Sequence, residues 1–314
     1  MSNVTRAIHI LYGLLSKKPL ALCDAGDLDG IGSAALFKIK YPNGIIILAY
    51  PNEVKKNFLL RKIYWDFVAD LPCPGKAKIR ADHHETNTPC AEKEFFDPKA
   101  PASTVLALKA LGLEDNEQAK LIAKYAVETD TANVVSEEAR MLDAAVKGSN
   151  YKDRVYLAEK LASIGLKVFE DPKIRKSIEK YREVRRMTEE IAEKIPIAKE
   201  IIIVFTKDLG LSYRYLSILL ERKGAEFTFI IVPKKYFVIR IYAGAKPNSN
   251  YDSSLIATKL GGGGHQYAAG ATIRSLRRKN EVHKILNLVK SFLNKNYLDV
   301  LIINKNFNIE RRVF

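Results

Sequence analysis

The first half of the chain alternates short apolar runs with segments of helical periodicity. The apolar runs lie at 20–23, 45–50, 67–70 and 77–82. At 31–41 and 101–111, apolar residues recur every three or four positions, which indicates amphipathic helices. Continuous apolar runs of this length are typical of strands buried on both faces of a parallel sheet. The alternation predicts an α/β domain with a doubly wound, mainly parallel sheet.

The second half has a different pattern. A long helical and charged stretch, residues 153–194, contains no Gly/Ser linker. Beyond it, strands are predicted at 201–205, 226–232, 236–242, 269–273 and 298–303, and helices at 212–223, 253–259 and 281–293. Because only a short turn separates residues 226–232 from residues 236–242, these two strands are predicted to be antiparallel.

These patterns divide the chain into four parts. They are an α/β domain at 1–155, a helical connector at 156–196, a smaller α/β domain with a mixed sheet at 197–303, and a tail at 304–314. The tail is polar and basic but ends in Val313–Phe314. Two roles are open for it, packing on the second domain or binding a partner protein of DNA repair or replication.

Length and composition place the chain among globular proteins. A chain of 314 residues is long enough for two domains with separate cores. It has no apolar run of membrane-spanning length and no secretory layout at its start, so we expect a cytoplasmic protein without membrane association. The three cysteines have no metal-binding spacing, and no disulfide framework is expected. Abundant Lys, Glu and Ile favour a hot-growing source.

The positive charge is concentrated in the second half of the chain. Residues 1–150 contain 19 basic and 19 acidic residues, whereas residues 201–314 contain 19 basic and only 7 acidic ones. One interpretation is the solvated surface of a heat-stable protein. The other is that the basic half binds a polyanion, because Lys and Arg displace counterions from nucleic acids.

Acidic residues and histidines follow the apolar runs of the first half. They are Asp27 and Asp29, Asp70, Asp82-His83-His84, and Asp130 at the end of helix 117–129. Carboxyl ends of parallel strands meet at one edge of a sheet, so these carboxylates are expected to converge. Converging carboxylates repel unless cations lie among them, and oxygen ligands with one or two imidazoles suit Mn²⁺ or Mg²⁺. The pattern therefore indicates a two-metal site of the kind that cleaves phosphoesters.

These motifs resemble the DHH phosphoesterase superfamily with its DHH-associated second domain. The matching residues are Asp27-Leu28-Asp29-Gly30, Asp70, Asp82-His83-His84, Asp130, Gly261-Gly262-Gly263-Gly264-His265 and Ala268-Ala269-Gly270. The resemblance runs from about residue 20 to about residue 273. The superfamily includes RecJ-type exonucleases, short-oligonucleotide RNases, phosphatases of adenosine bisphosphate and cyclic-dinucleotide phosphodiesterases.

The resemblance implies which residues would bind each of two metal ions. Asp70 would bridge the two ions. Asp27 would join it on the first ion, and Asp29, His83 and Asp130 would complete the second. Water activated by the ions would then attack phosphorus in line.

The resemblance also implies roles for residues that bind no metal. His84 would neutralise charge on the phosphoryl oxygens, and Asp82 would hold its neighbours by hydrogen bonds. In the second domain Arg240, His265 and the glycines Gly262, Gly263 and Gly264 would hold the phosphate or the terminal nucleotide of the substrate.

The main departure from the family lies before Asp27, at Cys23, where many small-substrate members have a histidine. A thiolate is a soft ligand for a hard cation, so we interpret Cys23 as a strand residue and Asp24 as the alternative ligand. Ser103 and Thr104 lie near the start of helix 101–111, where capping is favoured over phosphate contact.

The missing histidine and the basic second half favour a polymer as substrate. We expect a hydrolase of phosphoester bonds, a Mn²⁺-dependent exonuclease that degrades single-stranded DNA or RNA to mononucleotides, with Mg²⁺ as the other possible ion. One alternative is a short-oligonucleotide RNase or an adenosine 3′,5′-bisphosphate phosphatase. A second alternative is a non-catalytic DHH module in a replication or repair complex.

Overall fold

The computed structural model describes residues 2–314, with side chains from residue 4 onward, and these form two compact units. The boundary lies between Arg182 and Glu183. Unit 1 therefore extends beyond residue 155 and includes the first part of the predicted connector. The physical reason is apolar packing, since Leu157, Leu161 and Val168 are fully buried in the core of unit 1.

Unit 1 contains a five-stranded parallel sheet. Its strands are β1 (Leu20–Asp24), β2 (Ile45–Ala49), β3 (Tyr64–Ala69), β4 (Lys76–Asp82) and β5 (Ala91–Phe96). The strand order is β2-β1-β3-β4-β5, and every neighbouring pair is parallel. This arrangement confirms the predicted parallel α/β fold class.

Helices cover both faces of this sheet. They are α1 (Ser2–Leu15), α2 (Leu28–Lys40), α3 (Pro51–Lys56), α4 (Phe58–Lys62), α5 (Ser103–Ala110), α6 (Glu117–Asp130), α7 (Glu137–Gly148) and α8 (Tyr151–Ile164). A 3₁₀ helix, Gly165–Glu170, and the long helix α9 (Pro172–Lys194) follow. One core contains apolar residues of α2 and α5–α8, and a second core, on the other face, contains residues of α1, α3 and α4.

Strand β5 is absent from the sequence-based prediction. It lies at the edge of the sheet, and Glu92 and Lys93 are exposed. No residue of β5 is fully buried, whereas four of the five residues of β2, at the other edge, are, so β5 lacks the continuous apolar run by which β1 and β2 could be predicted.

The structure corrects the expectation about cysteines. Cys73 and Cys90 form a disulfide, with their Cα atoms 5.8 Å apart. Cys73 lies in the segment that enters β4, and Cys90 directly precedes β5. Because β4 and β5 are parallel, the segments that enter them lie at the same end of the sheet, which a spacing of 17 residues does not indicate. Cys23 is a buried free thiol.

Unit 2 contains a seven-stranded mixed sheet. Its strands are β6 (Glu200–Phe205), β7 (Phe227–Pro233), β8 (Val238–Ala245), β9 (Gly263–His265), β10 (Ala268–Arg274), β11 (Asp299–Ile303) and β12 (Ile309–Val313). Its helices are α10 (Tyr213–Arg222), α11 (Ser253–Lys259) and α12 (Arg278–Phe292). The strand order is β12-β11-β6-β7-β8-β10-β9. The predicted antiparallel pairing of β7 with β8 is confirmed.

The tail forms part of this sheet. Strand β12 pairs antiparallel with β11, from Ile309 opposite Ile303 to Val313 opposite Asp299. Of the two roles left open by the sequence, packing on the second unit is the one that the structure shows for residues 309–313. Among the described residues, the structure contains no helix with the length and apolar character needed to cross a membrane.

Candidate metal centre

Acidic side chains collect at the carboxyl ends of three neighbouring strands of unit 1. Asp24 is the last residue of β1, Asp70 follows β3, and Asp82 ends β4 directly before His83 and His84. Since β1, β3 and β4 are adjacent and parallel, their ends lie side by side. The predicted convergence at one edge of the sheet thus has a simple topological cause.

Three groups of side chains bring possible ligand atoms within 4.8 Å of one another. They are Asp24–Asp27–Asp70, Asp70–His83–His84 and Asp29–His83–Asp130. Asp70 belongs to the first two groups and His83 to the last two. The groups therefore form one continuous cluster, which we call the candidate metal centre, and it unites all five predicted ligands with Asp24 and His84.

Two of the carboxylates are positioned by helix ends. Asp27 is the N-cap of α2, and its Oδ1 accepts hydrogen bonds from the backbone N–H groups of Asp29 and Gly30 at 3.1 and 3.2 Å. Asp130 is the last residue of α6. Both side chains are held on regular structure, which fixes their direction toward the cluster.

His83 is oriented by a backbone carbonyl. Its Nδ1 lies 3.0 Å from the carbonyl oxygen of Ala100 and donates to it, so Nε2 carries the free lone pair. Nε2 lies 3.6 Å from Asp130 Oδ2 and 3.9 Å from Asp29 Oδ2. A carbonyl that fixes the tautomer in this way is typical of metal-binding histidines.

Asp29 also caps the start of α5. Its carboxylate oxygens accept hydrogen bonds from the backbone N–H groups of Ser103 and Thr104, both at 2.7 Å. The Thr104 hydroxyl donates to the same carboxylate. Burial raises the pKa of Asp29 to about 6, although the hydrogen bonds from Thr104 and Ser103 act in the opposite direction.

The structure corrects the interpretation of Ser103 and Thr104 as helix-capping residues. The N-cap position of α5 is Ala102, and the N–H groups of Ser103 and Thr104, which have no partner within the helix, donate to Asp29. The Ser103 hydroxyl instead donates to Asp70 Oδ1 at 3.1 Å. The sequence showed two hydroxyls near a helix start but not the carboxylate, 74 residues earlier, that binds there.

Asp70 is the one carboxylate of the cluster that lies on a left-handed backbone. Its φ is +57°, and the residue is 5% exposed. Burial raises the pKa of Asp70 well above its ordinary value, and the charges of the nearest aspartates raise it further. A buried carboxylate in repulsive surroundings is the arrangement that a cation would relieve.

Asp24 provides the clearest test of whether the site fits a cation. Its Oδ2 accepts a hydrogen bond from Gly26 N–H at 2.6 Å, whereas its buried Oδ1 has no hydrogen-bond partner. Burial raises the pKa of Asp24 to about 7. A buried carboxylate oxygen without a donor is costly, and a hard cation is the natural partner for it. The donor set of the candidate metal centre therefore fits divalent cations.

Cys23 lies outside the cluster. Its side chain is fully buried in the core formed with α2. Burial raises the pKa of the Cys23 thiol well above its ordinary value, which disfavours the thiolate that a metal requires.

Asp82 and His84 are linked to a buried arginine. His84 Nδ1 donates to Asp82 Oδ1 at 3.0 Å, Asn87 donates to Asp82 Oδ2 at 2.7 Å, and Arg80 forms an ion pair with the same oxygen. Arg80 is fully buried and also donates to the carbonyl groups of Leu71 and Thr88. It thereby joins the segment after Asp70 to the segment after His84.

Sequence reasoning missed Arg80. The available signal was a charged residue within the strand that leads to Asp82. Two of its partners are backbone carbonyls, at Leu71 and Thr88, which no residue pattern identifies.

In unit 2, the predicted substrate-binding residues share one face of the sheet. Strand β10 places Thr272 opposite Arg240, and it places Ala268 opposite both Gly244 and His265. Side chains two or four positions apart along a strand point to the same face. Arg240 and His265 are both exposed and lie on the same face, four residues apart in register.

A comparison with family models identifies unit 2. Residues 181–295 match the DHHA1 domain. A comparison with curated protein sequences gave no match.

Solved structures share the fold of most of the chain. The pGpG-specific phosphodiesterase PggH from Vibrio cholerae has a TM-score of 0.63 at 16% identity, covering 87% of this chain and 99% of that one. Exonuclease RecJ bound to manganese has a TM-score of 0.61 at 12% identity, covering 88% and 90%. RecJ from Thermus thermophilus in complex with Mn²⁺ has a TM-score of 0.58 at 13% identity, covering 95% and 56%. This chain thus spans about half the length of Thermus RecJ.

Proposed function

We propose that this chain, whose fold is that of the DHH phosphoesterases, hydrolyses phosphodiesters in a metal-dependent reaction. Its residues 181–295 match the DHHA1 domain. The proposed substrate is single-stranded DNA or RNA, degraded from an end to mononucleotides. The observation that carries the proposal is the continuous cluster of acidic and imidazole ligands at the carboxyl ends of β1, β3 and β4.

Two ions would be held by the two ends of this cluster. Asp24, Asp27 and Asp70 would hold the first, and Asp29, His83 and Asp130 the second. When bound, such a pair of divalent cations activates water and neutralises charge on the phosphoryl oxygens.

The residues around the cluster supply the remaining functions. Asp82 accepts a hydrogen bond from His84 Nδ1, and this bond raises the pKa of His84. The imidazole is half exposed, so its Nε2–H remains available to donate to a phosphoryl oxygen. Asp82 and Arg80 would act as positioning residues, because they hold His84 and the neighbouring backbone rather than substrate.

The charge of unit 2 supports a polyanionic substrate. Five of the seven acidic residues in 201–314 already form ion pairs with Lys or Arg: Asp208, Glu221, Glu226, Asp299 and Glu310. The 19 basic residues therefore far exceed the available carboxylates. Arg240 is exposed and, within the described part of the chain, makes no ion pair. Such unneutralised cations would bind phosphates by displacing counterions.

A second candidate is a phosphodiesterase of short oligonucleotides. It is favoured by the fold shared with PggH, whose full length this chain matches and whose name gives pGpG as its substrate. The two candidates use the same metal centre and differ in the length of strand that they accept.

The deciding experiment is digestion of 5′- and 3′-labelled single-stranded DNA and RNA in the presence of Mn²⁺. We expect the full-length strands to disappear and labelled mononucleotides to accumulate. Intact long strands alongside degraded di- to pentanucleotides would favour the second candidate. Binding of strands without cleavage of any length, with either Mn²⁺ or Mg²⁺, would identify a non-catalytic module.

The glycine run of unit 2 gives a prediction that separates folding from substrate contact. A Cβ at Gly264 would lie 2.4 Å from Ala269 Cα, and φ there is +144°, so Gly264→Ala is expected to unfold or strongly destabilise unit 2. A Cβ at Gly263 would meet no atom within 4 Å. Gly263→Ala should therefore keep the fold and block only the approach of a ligand, raising KM about tenfold.

Thermal unfolding and steady-state cleavage by both variants provide the check. Gly263→Ala should melt within a few degrees of the wild type. An unchanged KM in this folded variant would remove the glycine run from the proposed substrate site.

A further inference from the structure

A cavity of about 520 Å³ lies beside the candidate metal centre in unit 1. It opens at the carboxyl ends of β1 and β2, where Ala25 directly follows Asp24 and Tyr50 directly follows the last residue of β2. Its other wall contains Tyr151 and Arg154 of helix α8. Cavities of roughly 300–1,000 Å³ are the usual size for binding small molecules.

Arg154 connects this cavity to the metal centre. Its Nη1 donates to the Ala25 carbonyl and to the Tyr50 hydroxyl, both at 2.6 Å, and its Nε donates to the Val146 carbonyl at 3.0 Å. Ala25 directly follows Asp24, so this arginine contacts the backbone next to a carboxylate of the candidate metal centre. The guanidinium is thus held rigidly between the cavity and the carboxylates.

The lining combines aromatic rings with positive charge. Tyr50 is 45% exposed, so part of its ring faces the solvent-filled space, and Tyr151 is half-buried. Arg154 and Lys152 contribute cations, whereas Arg6, whose guanidinium lies 5.5 Å from the centre of the Tyr151 ring, is ion-paired with Glu53 of the same lining. Stacking on aromatic rings together with nearby cations is how proteins hold single nucleotides without reading their sequence.

We propose that this cavity binds the base and sugar of the nucleotide adjoining the phosphate that is cleaved, with Tyr50 as the stacking residue. The inference rests on the proposed function and deepens it. In this arrangement the phosphate that is cleaved would lie in the candidate metal centre. Asp24 belongs to that centre, and Ala25, the next residue, lines the cavity.

The test compares Tyr50→Ala with the matched control Tyr64→Ala. Both tyrosines are 45% exposed, but Tyr64 is the first residue of β3 and lies at the opposite, amino end of the sheet. Tyr50→Phe keeps the ring and loses only the hydroxyl. The substrates are a dinucleotide and two versions of it, each lacking the base at one position.

We expect Tyr50→Ala to raise KM for the intact dinucleotide about tenfold, with kcat changed less than about twofold. Tyr64→Ala should behave as the wild type, and Tyr50→Phe, which keeps the ring but loses the hydrogen bond from Arg154, should raise KM less than Tyr50→Ala. For the dinucleotide that lacks the stacked base, the wild type and Tyr50→Ala should have equal KM values. Equal KM values of Tyr50→Ala and the wild type for all three substrates would overturn the inference.

Equilibrium binding of a fluorescent dinucleotide separates this inference from the proposed function. Absence of cleavage by the wild type with Mn²⁺ or Mg²⁺ would contradict the function alone. In that case, about tenfold weaker binding by Tyr50→Ala than by Tyr64→Ala still supports the cavity as a nucleotide site, and equal binding rejects it.

Discussion

Replacement of Asp70 by asparagine is expected to lower metal-dependent phosphodiester cleavage by at least about 1,000-fold. Asp70 belongs to two of the three ligand groups, Asp24–Asp27–Asp70 and Asp70–His83–His84. Loss of its charge would therefore remove one ligand of the first ion position and a carboxylate within 4.8 Å of His83, which belongs to the second. Asparagine is the appropriate substitute because it tolerates the left-handed backbone at this position. Its Oδ1 can still accept the hydrogen bond from the Ser103 hydroxyl.

The same substitution should stabilise the metal-free protein. Burial and the nearest aspartates raise the pKa of Asp70 in the folded state. The unfolded chain therefore releases this proton at lower pH than the folded chain, and the carboxyl group costs stability as the pH rises above about 4. The gain in melting temperature of Asp70→Asn should be absent near pH 4 and grow toward neutral pH.

Asp66 provides the matched control on the same strand. Its Oδ2 accepts a hydrogen bond from Leu20 N–H at 2.8 Å, and it belongs to none of the three ligand groups among the described residues. Asp66→Asn should leave cleavage within about twofold of the wild type. Cleavage by Asp70→Asn at the rate of Asp66→Asn, measured with saturating Mn²⁺, would contradict the role of Asp70.

The sequence predicted the part of this site that depends on topology. Parallel strands that each end in an aspartate must bring those residues to one edge, and β1, β3 and β4 do so. Two contacts could not be predicted in this way. They are the hydrogen bond from His83 to the Ala100 carbonyl and the capping of α5 by Asp29. These contacts join segments that are distant in the chain, and their partners are backbone atoms with no signal in the residue pattern.

The same distinction explains two features of the fold that the residue pattern did not indicate. Residues 156–171 have the helical periodicity expected of a connector, and periodicity does not tell which core a helix packs against. Leu157 and Leu161 pack in unit 1. The disulfide between Cys73 and Cys90 likewise depends on the edge strand β5, which has no apolar run to reveal it.

The second large effect concerns Asp24, the proposed third ligand of the first ion. Asp24→Asn is expected to reduce the bound Mn²⁺ from two ions to one per chain and to lower cleavage by at least about 100-fold. The buried Asp24 Oδ1 has no hydrogen-bond partner, and Asp24, Asp27 and Asp70 form one group of possible ligands. Isothermal titration calorimetry and metal analysis after gel filtration give the stoichiometry directly.

Cys23→Ala is the control for the neighbouring residue. Cys23 is fully buried in the core, where a small cavity would cost about 1 kcal/mol of stability without loss of an ion. Its pKa is raised well above the ordinary value by burial, so the thiol is neutral at physiological pH and a poor ligand for Mn²⁺. If Cys23→Ala bound only one ion while Asp24→Asn still bound two, the assignment would be reversed. It would mean that the core thiol, and not the carboxylate at the end of β1, completes the first ion position.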